Sequence, residues 1–475
     1  MHQNMIRMTA LLLLTGTFSG CAAVIQTPYQ QPKVQIPEKF QYEKSRNQQL
    51  NANQYADQWW TLFADAQLNR LVEQVIQRNS NLAVAGITLQ QARLQAGLAH
   101  NQELPRINAN IAAGHNIDLN SGQQNSQGIT LTTGVSYELD LFGKLARQTE
   151  AAQWEAAATI EDLQATAQTL IATTATLYWQ LGYLNDWYSS AQQSLNSTQK
   201  LFALVQVQYR AGAVSGLELT QAEQSVQSQN ANLSQIQQQR VETLTALAVL
   251  LHQPVQQLSL VEPQHLPIAS LPPISAGLPA ELLSRRPDLR AAELRLRKVL
   301  ANKDAMKASY YPSISLTGAL GSSSTSLTEL LKNPVLTLGS NLSLPFLQFN
   351  DMKRNIKISD LDYEKSILNY RQTLYKAFGD VENALSARTE LDRQIRFQEK
   401  SLGLAEKSEY LNEVRYRHGA IALKNVLDAQ EITRNARIAL LQTRKNQYNA
   451  YVTLMQALGG SPLQNIAATE IKKAP

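Results

Sequence analysis

The chain has 475 residues, 43 Lys and Arg against 38 Asp and Glu for a formal charge of +5, and a single cysteine. Such a length is too great for one small module. The weak positive charge contains no dense basic run, which speaks against a nucleic-acid binder, and one cysteine excludes an internal disulfide framework or a Cys-cluster metal site. Aromatic residues make up only 7%, and a composition led by Ala, Gln, Leu, Ser and Thr favours long helices with narrow contacts over a thick globular core.

Residues 1–20 read as a signal peptide. Arg7 precedes an apolar stretch from Thr9 to Phe18, which is too short to span a bilayer. Ser19 and Gly20 stand directly before Cys21, as in a bacterial lipoprotein cleavage box. Cys21 is therefore the expected lipidation site, and several acyl chains at about 0.8 kcal/mol per buried CH₂ would anchor it stably. Ala22 follows instead of the Asp of an inner-membrane retention signal, which favours the outer membrane. No later segment is apolar enough for a transmembrane helix: Leu163 to Asn185 is uncharged but carries Gln164, Gln168, Thr173 and Gln180. A membrane crossing must then be made by strands.

Residues 21–70 form a lipid-anchored N-terminal segment that runs into the first helix. A first repeat occupies 71–252, a Pro-rich connector 253–287, a second repeat 288–461 and a tail 462–475. The repeats match at an offset of 207 residues: Leu82 with Leu289, Pro105 with Pro312, Arg147 with Arg354, Tyr209 to Ala213 with Tyr416 to Ala420, and Leu251 with Leu458. A drift of about two residues is expected in the strand region.

In the first repeat a helix from Asn81 stops before Pro105. Period-two alternation then predicts strands at about 106–117 and 128–141, for example Ile129, Leu131, Val135 and Tyr137 against Thr130, Thr132, Gly134 and Ser136. A polar loop joins them. The second repeat predicts strands at about 312–321 and 335–347. About thirteen residues at about 3.3 Å each, tilted by about 45°, cover roughly 30 Å, one hydrocarbon thickness. Four strands cannot close a membrane barrel, so chains must share one. Two chains give eight strands and three give twelve, and only the larger number leaves a lumen for solute. From Gly143 to Arg210 and from Asn350 to Arg417 no proline interrupts helix, which gives about 100 Å each. Shorter helices follow at Leu217 to His252 and Leu423 to Leu458, with an incomplete apolar seam at Leu219, Ala222, Val226, Leu233 and Ile236. The fold class is mostly α with a transmembrane β-barrel contribution, built from a duplicated helix, hairpin, helix, helix unit.

Several motifs carry a family resemblance: Ser136-Tyr137-Glu138-Leu139-Asp140-Leu141-Phe142-Gly143-Lys144, Arg285-Arg286-Pro287-Asp288-Leu289, Tyr311-Pro312-Ser313-Ile314, Trp59-Trp60 with Phe63, and Leu427-Asp428-Ala429-Gln430. The chain resembles the outer-membrane efflux factors of the TolC/OprM type, and its lipoprotein start points to the OprM-like branch. The resemblance implies a homotrimer with a twelve-stranded β-barrel continued by a long α-helical barrel through the periplasm. It also implies a periplasmic membrane-fusion adaptor and an inner-membrane pump as partners.

The two helix turns are the expected periplasmic mouth, with Gly212, Ala213, Gly419 and Ala420 as tip residues for adaptor contact. The resemblance implies a constriction ring at Asp428, where three carboxylates about 8 Å apart would repel by roughly 0.5–2 kcal/mol per pair. Asn425 stands where the family often has a second Asp, and Lys424 precedes it. Glu218 matches an acid of the first tip, and Tyr416 a tyrosine that locks the closed mouth. The usual arginine partner position is Ile421, which leaves Arg417 or Arg210 to replace it.

No catalytic constellation is present: the six histidines lack metal-ligand spacing, and neither a nucleophile elbow nor a phosphate loop occurs. No metal and no cofactor are expected. The leading reading is a passive exit duct for drugs or other small molecules delivered by a pump. The alternatives are a lipid-anchored periplasmic scaffold or adaptor without a pore, and a duct for type I protein secretion.

Overall fold

A computed structural model describes residues 25–43, 58–117, 124–267, 271–272, 274, 279–324, 332 and 334–460. Cys21, the signal peptide and the C-terminal tail lie outside them. The chain forms two compact units, each drawing on both repeats. The first comprises Met1–Lys33, Thr88–Thr159 and Ala291–Arg371; the second comprises Val34–Ile87, Ile160–Arg290 and Gln372–Pro475.

The first unit holds an antiparallel sheet of β1 (Arg106–Ile117), β2 (Gln124–Leu139), β3 (Ser313–Ser324) and β4 (Pro334–Ser343), paired in that order. Alternation sorts the side chains onto two faces. Ile107, Ile111, Val135, Leu316, Leu338 and Leu342 share one face. Asn108, Asn110, Thr132, Thr317 and Asn341 share the other. Ile107 and Leu338 are each 77% exposed, so among the described residues no layer covers the apolar face there. β1 and β4 are the outer strands and do not pair with each other.

The hairpins correct two expectations. Arg106 pairs with Ser136 and Ser313 with Ser343, so the offset is 207 residues through the strands too, with no drift. β4 ends at Ser343, short of 347, because Pro345 lacks the N–H a ladder needs; Pro345–Leu347 turns as a 3₁₀ helix instead.

Two long helices leave the sheet, α3 (Lys144–Arg210) and α7 (Phe349–Arg417). In the first unit α3 meets α6 (Pro287–Ala308) through Glu155, which accepts from Lys298 at 3.0 Å and lies 3.5 Å from Arg295. The N-terminal segment straps onto α6: the Thr27 N–H and hydroxyl both donate to the buried Asp304 carboxylate at 2.6 and 2.7 Å. The Arg297 guanidinium lies over Tyr29 at 4.3 Å and Trp154 at 5.3 Å.

The second unit contains α1 (Ala66–Arg78), α4 (Gly216–Leu250), α5 (Leu282–Arg285) and α8 (Leu423–Ala457), together with the later turns of α3 and α7. Asp65 caps α1 by accepting from the amides of Gln67 and Leu68 at 2.9 and 3.0 Å, and Asn79 breaks the chain before α2 (Ser80–His100). The core there is aromatic: Phe63 packs on Trp179 at 5.3 Å and on Tyr451 at 5.0 Å. Around Leu374, Val381, Leu454 and Leu458 a second core closes over Phe40. At its edge Arg286, 9% exposed, grips Asp288 with two bonds of 2.8 and 3.0 Å and also reaches Asp380 and the Ala457 carbonyl. The seam of α4 runs in heptads through Ala222, Gln229, Ile236 and Thr243, all buried, so polar Gln229 fills the position that broke the apolar pattern.

Candidate functional site

Both long helices end in the same way. At the first turn Gly212 has φ of +71°, Gly212 N–H donates to Tyr209 O at 3.0 Å, and Ala213 N–H donates to Gln208 O at 2.8 Å. At the second, Gly419 has φ of +70°, its N–H donates to Tyr416 O at 2.9 Å, and Ala420 N–H donates to Arg415 O at 2.9 Å. Nothing lies within 4 Å of a Cβ added at either glycine. Glycine is needed there for its left-handed backbone and not for space. Gly212, Ala213, Gly419 and Ala420 are all exposed.

The next helix starts differently in the two repeats. Ser215 caps α4: its Oγ accepts from Leu217 N–H at 3.2 Å, and its own N–H donates to Glu218 Oε2 at 3.0 Å, closing a capping box. The Ser215 hydroxyl also bonds Glu218, and this holds the Glu218 carboxyl below the usual carboxylate range. In the second repeat the corresponding positions are Ala422 and Asn425, and no side chain caps α8. Glu218 is thus engaged locally as a cap partner.

Tyr416 is buried with Leu201, Val205, Ala222, Leu423 and Val426. Its hydroxyl donates to Gln208 Oε1 at 2.8 Å and so ties the end of α7 to the end of α3. Burial pushes the phenol upward, and the Glu218 charge adds to the shift. Its counterpart Tyr209 is exposed. Arg417 pairs with Glu413 on its own helix, so Gln208, and not Arg417 or Arg210, is the group placed at the tyrosine. Gln208 was not legible as a partner, because its own counterpart is Arg415 and the bond joins positions that the repeat does not relate.

Asp428 accepts from Lys424 Nζ at 2.6 Å, one turn apart, with both side chains more than half exposed. Asn425 is exposed beside them. A separate open cleft of about 690 Å³ lies between the last turns of α3 and α7, with Lys200, Gln208, Glu409, Glu413, Tyr416 and Arg417 on its walls.

Above the tip the two helix pairs differ in chemistry. Between α7 and α8, Glu399 meets Arg444 at 2.9 Å and Glu406 meets Arg437 at 2.6 Å, a heptad apart on α7. The corresponding residues of α3 and α4 are Gln192 with Gln237 and Gln199 with Asn230. One pair is laced by charges where the other carries neutral amides.

A family model described as outer membrane efflux protein matches residues 71–252 and 278–460. The toxin and drug export protein A of Aggregatibacter actinomycetemcomitans is 28% identical over 455 residues, covering 96% of this chain and 98% of that protein. The pyoverdine export outer membrane protein OpmQ of Pseudomonas putida is 31% identical over 412 residues, covering 85% of this chain and 87% of the relative. Among solved structures, the MtrE outer membrane channel of Neisseria gonorrhoeae in its open state superposes with a TM-score of 0.78 at 29% identity, over 91% of this chain and 97% of that one.

Proposed function

The chain belongs to the outer membrane efflux protein family, and from that premise we propose that three copies of it assemble into one duct whose periplasmic mouth is held shut by Tyr416 and Gln208. It is an outer-membrane efflux channel with a helical periplasmic part. The observation that carries the assembly is the sheet: four strands, a bare apolar face, a polar opposite face and two open edges. Such a sheet is stable in lipid only when closed. Joining β4 of each copy to β1 of the next yields twelve strands with apolar residues towards lipid and Asn, Thr and Ser towards water.

The duct is passive and performs no covalent chemistry. Drugs or other small molecules reach it from an inner-membrane pump through a periplasmic adaptor, which touches the exposed turns at Gly212, Ala213, Gly419 and Ala420. Cys21 carries the lipid that holds the chain to the outer membrane. At the mouth Asp428, with Lys424 and Asn425 beside it, sets the charge met by solute, while Arg417 and Glu218 are spent on local pairs. The toxin and drug export relative favours a second cargo class, secreted protein, through the same lumen.

The test uses photo-crosslinking side chains placed at Ala213 and Ala420 in living cells, alongside drug susceptibility of a strain lacking the protein. The account expects capture of a periplasmic adaptor subunit and increased susceptibility. Normal susceptibility with no adaptor captured would refute it, and loss of a secreted protein with unchanged susceptibility would establish the second cargo class.

A further inference from the structure

Charge on the polar face of the sheet is confined to one level. The face that carries Asn108, Asn110, Thr132, Ser136, Thr317 and Asn341 holds only two charged side chains among the described residues, Arg106 and Glu138. Both lie at the end of the sheet where the long helices begin. Arg106 opens β1 and pairs with Ser136, and Glu138 follows two residues on along β2, on the same face. Their states differ. Glu138 is bound by Lys144 from the first turn of α3, so its charge is met inside the chain. Arg106 is exposed and makes no ion pair among the described residues. Of the nearby acids, Glu103 faces the His100 ring at 3.8 Å, and Asp140 accepts from the Ala146 N–H at 2.7 Å at the start of α3. The 207-residue offset gives Arg106 the counterpart Ser313, Glu138 the counterpart Pro345 and Lys144 the counterpart Asp351. The second repeat therefore adds neither an arginine nor a glutamate to this face. Asp351 stands exposed in the first turn of α7, where the helix dipole favours a carboxylate.

We propose that Arg106 is a solute-contacting residue of the duct: one from each copy, the guanidinia form a ring at the base of the barrel that draws in solutes carrying carboxylate or phosphate groups and retards cations. The inference rests on the shared-duct reading above and adds to it a class of solute and the residue that meets it. A guanidinium presents five N–H donors in a planar fork that fits an oxyanion with two parallel bonds, and it stays charged at every working pH. The hydroxyls and amides further along the same face offer only uncharged bonds. An anion coming from the helical tunnel thus meets its strongest contact at this level and leaves along a neutral wall. Such a path meets the requirement of conduction, a site favourable enough to enter and weak enough to leave. Twelve strands about 4.8 Å apart, tilted by about 45°, close a ring roughly 26 Å across at the backbone. Arginines projecting inward from three points of it stand roughly a Debye length apart at 0.1 M salt, about 10 Å. They act together there and are screened from one another at 1 M, where that length is about 3 Å.

The experiment uses the full chain in planar bilayers and reads the reversal potential in a KCl gradient, with citrate as the oxyanion probe. At about 0.1 M salt the ratio of chloride to potassium permeability is expected to fall roughly threefold in Arg106→Gln, on the Coulomb term of three screened charges. Arg106→Glu should lower it further, and Arg106→Lys, which keeps the charge, should hold it near the parent. The difference between parent and Arg106→Gln should vanish at 1 M. Millimolar citrate is expected to interrupt the current of the parent and to leave that of Arg106→Gln untouched. Asp351→Asn reads whether the acid of α7 neutralises the ring, and is expected to move the ratio far less than Arg106→Gln does. An unmoved ratio in Arg106→Gln, citrate interruption that survives it, or an equal and opposite shift in Asp351→Asn would overturn the ring while leaving the shared duct standing. A chain that forms no conducting pore, even as Tyr416→Phe, would overturn both.

Discussion

Replacing Tyr416 by Phe deletes the hydroxyl that donates to Gln208 at 2.8 Å and leaves the packed ring in place. A hydrogen bond of this kind contributes about 1 kcal/mol net. Three copies around one mouth together contribute about 3 kcal/mol, which alters an open-to-closed ratio on the order of a hundredfold. Single-channel recording in planar bilayers reads that ratio as open probability. Tyr416→Phe and Gln208→Leu are each expected to raise it steeply, and the double substitution to raise it no further than either alone, since both remove the same bond. Tyr209→Phe is the control: the counterpart tyrosine is exposed and its loss is expected to change nothing. Unchanged open probability in both Tyr416→Phe and Gln208→Leu would refute the assignment of this bond to the closed mouth.

Arg286→Met strips Asp288 and Asp380 of their shared partner. Breaking a buried pair costs about 3–5 kcal/mol, and the part-exposed carboxylates reduce this to about 2–3 kcal/mol, so the variant should melt at a clearly lower temperature at pH 7 by circular dichroism. Burial alone would raise the Asp288 carboxyl, but the bonds from Arg286 outweigh it and hold it below the ordinary value. Its contribution is therefore complete above about pH 4 and is lost as pH falls through the lowered value, so the gap between variant and parent should narrow in acid. Lys424→Ala removes the neutralising partner of Asp428. The pair is exposed and contributes only about 0.3–0.5 kcal/mol, so stability should hold while the reversal potential in a salt gradient shifts towards cations, with Asp428→Asn shifting it the other way. Ala422→Ser with Asn425→Glu builds into the second tip the capping box that Ser215 and Glu218 make in the first. It should stabilise the start of α8 by about 1 kcal/mol and slow amide exchange from Leu423 to Val426.

What was legible in the sequence was local or periodic. Gly212 and Gly419 announced turns because only glycine adopts their left-handed backbone cheaply, and Pro105 and Pro312 marked where helices give way to strands. The 207-residue repeat showed the duplicated unit, and strand alternation showed a sheet with one face for lipid. What stayed hidden depends on residues far apart in the chain. Gln208 meets Tyr416 only after two long helices fold alongside each other. The bonds from Arg286 to Asp380, inside α7, and to the Ala457 carbonyl, at the end of α8, join segments that no spacing rule connects. Gln229 in the α4 seam reads as a break in the heptad, yet it is buried in register with Ala222 and Ile236. Apolar alternation continues through Leu344 and Phe346, but Pro345 has no N–H to give a ladder, so β4 ends at Ser343.

The shared barrel is tested most directly by counting chains and pores in one preparation: native mass spectrometry of the purified protein in detergent, with the same sample reconstituted into planar bilayers. The account predicts a particle of three chains that inserts as discrete, uniform, water-filled conductance steps. A single-chain particle, or a three-chain particle that conducts nothing even when Tyr416 is replaced by Phe, would contradict it.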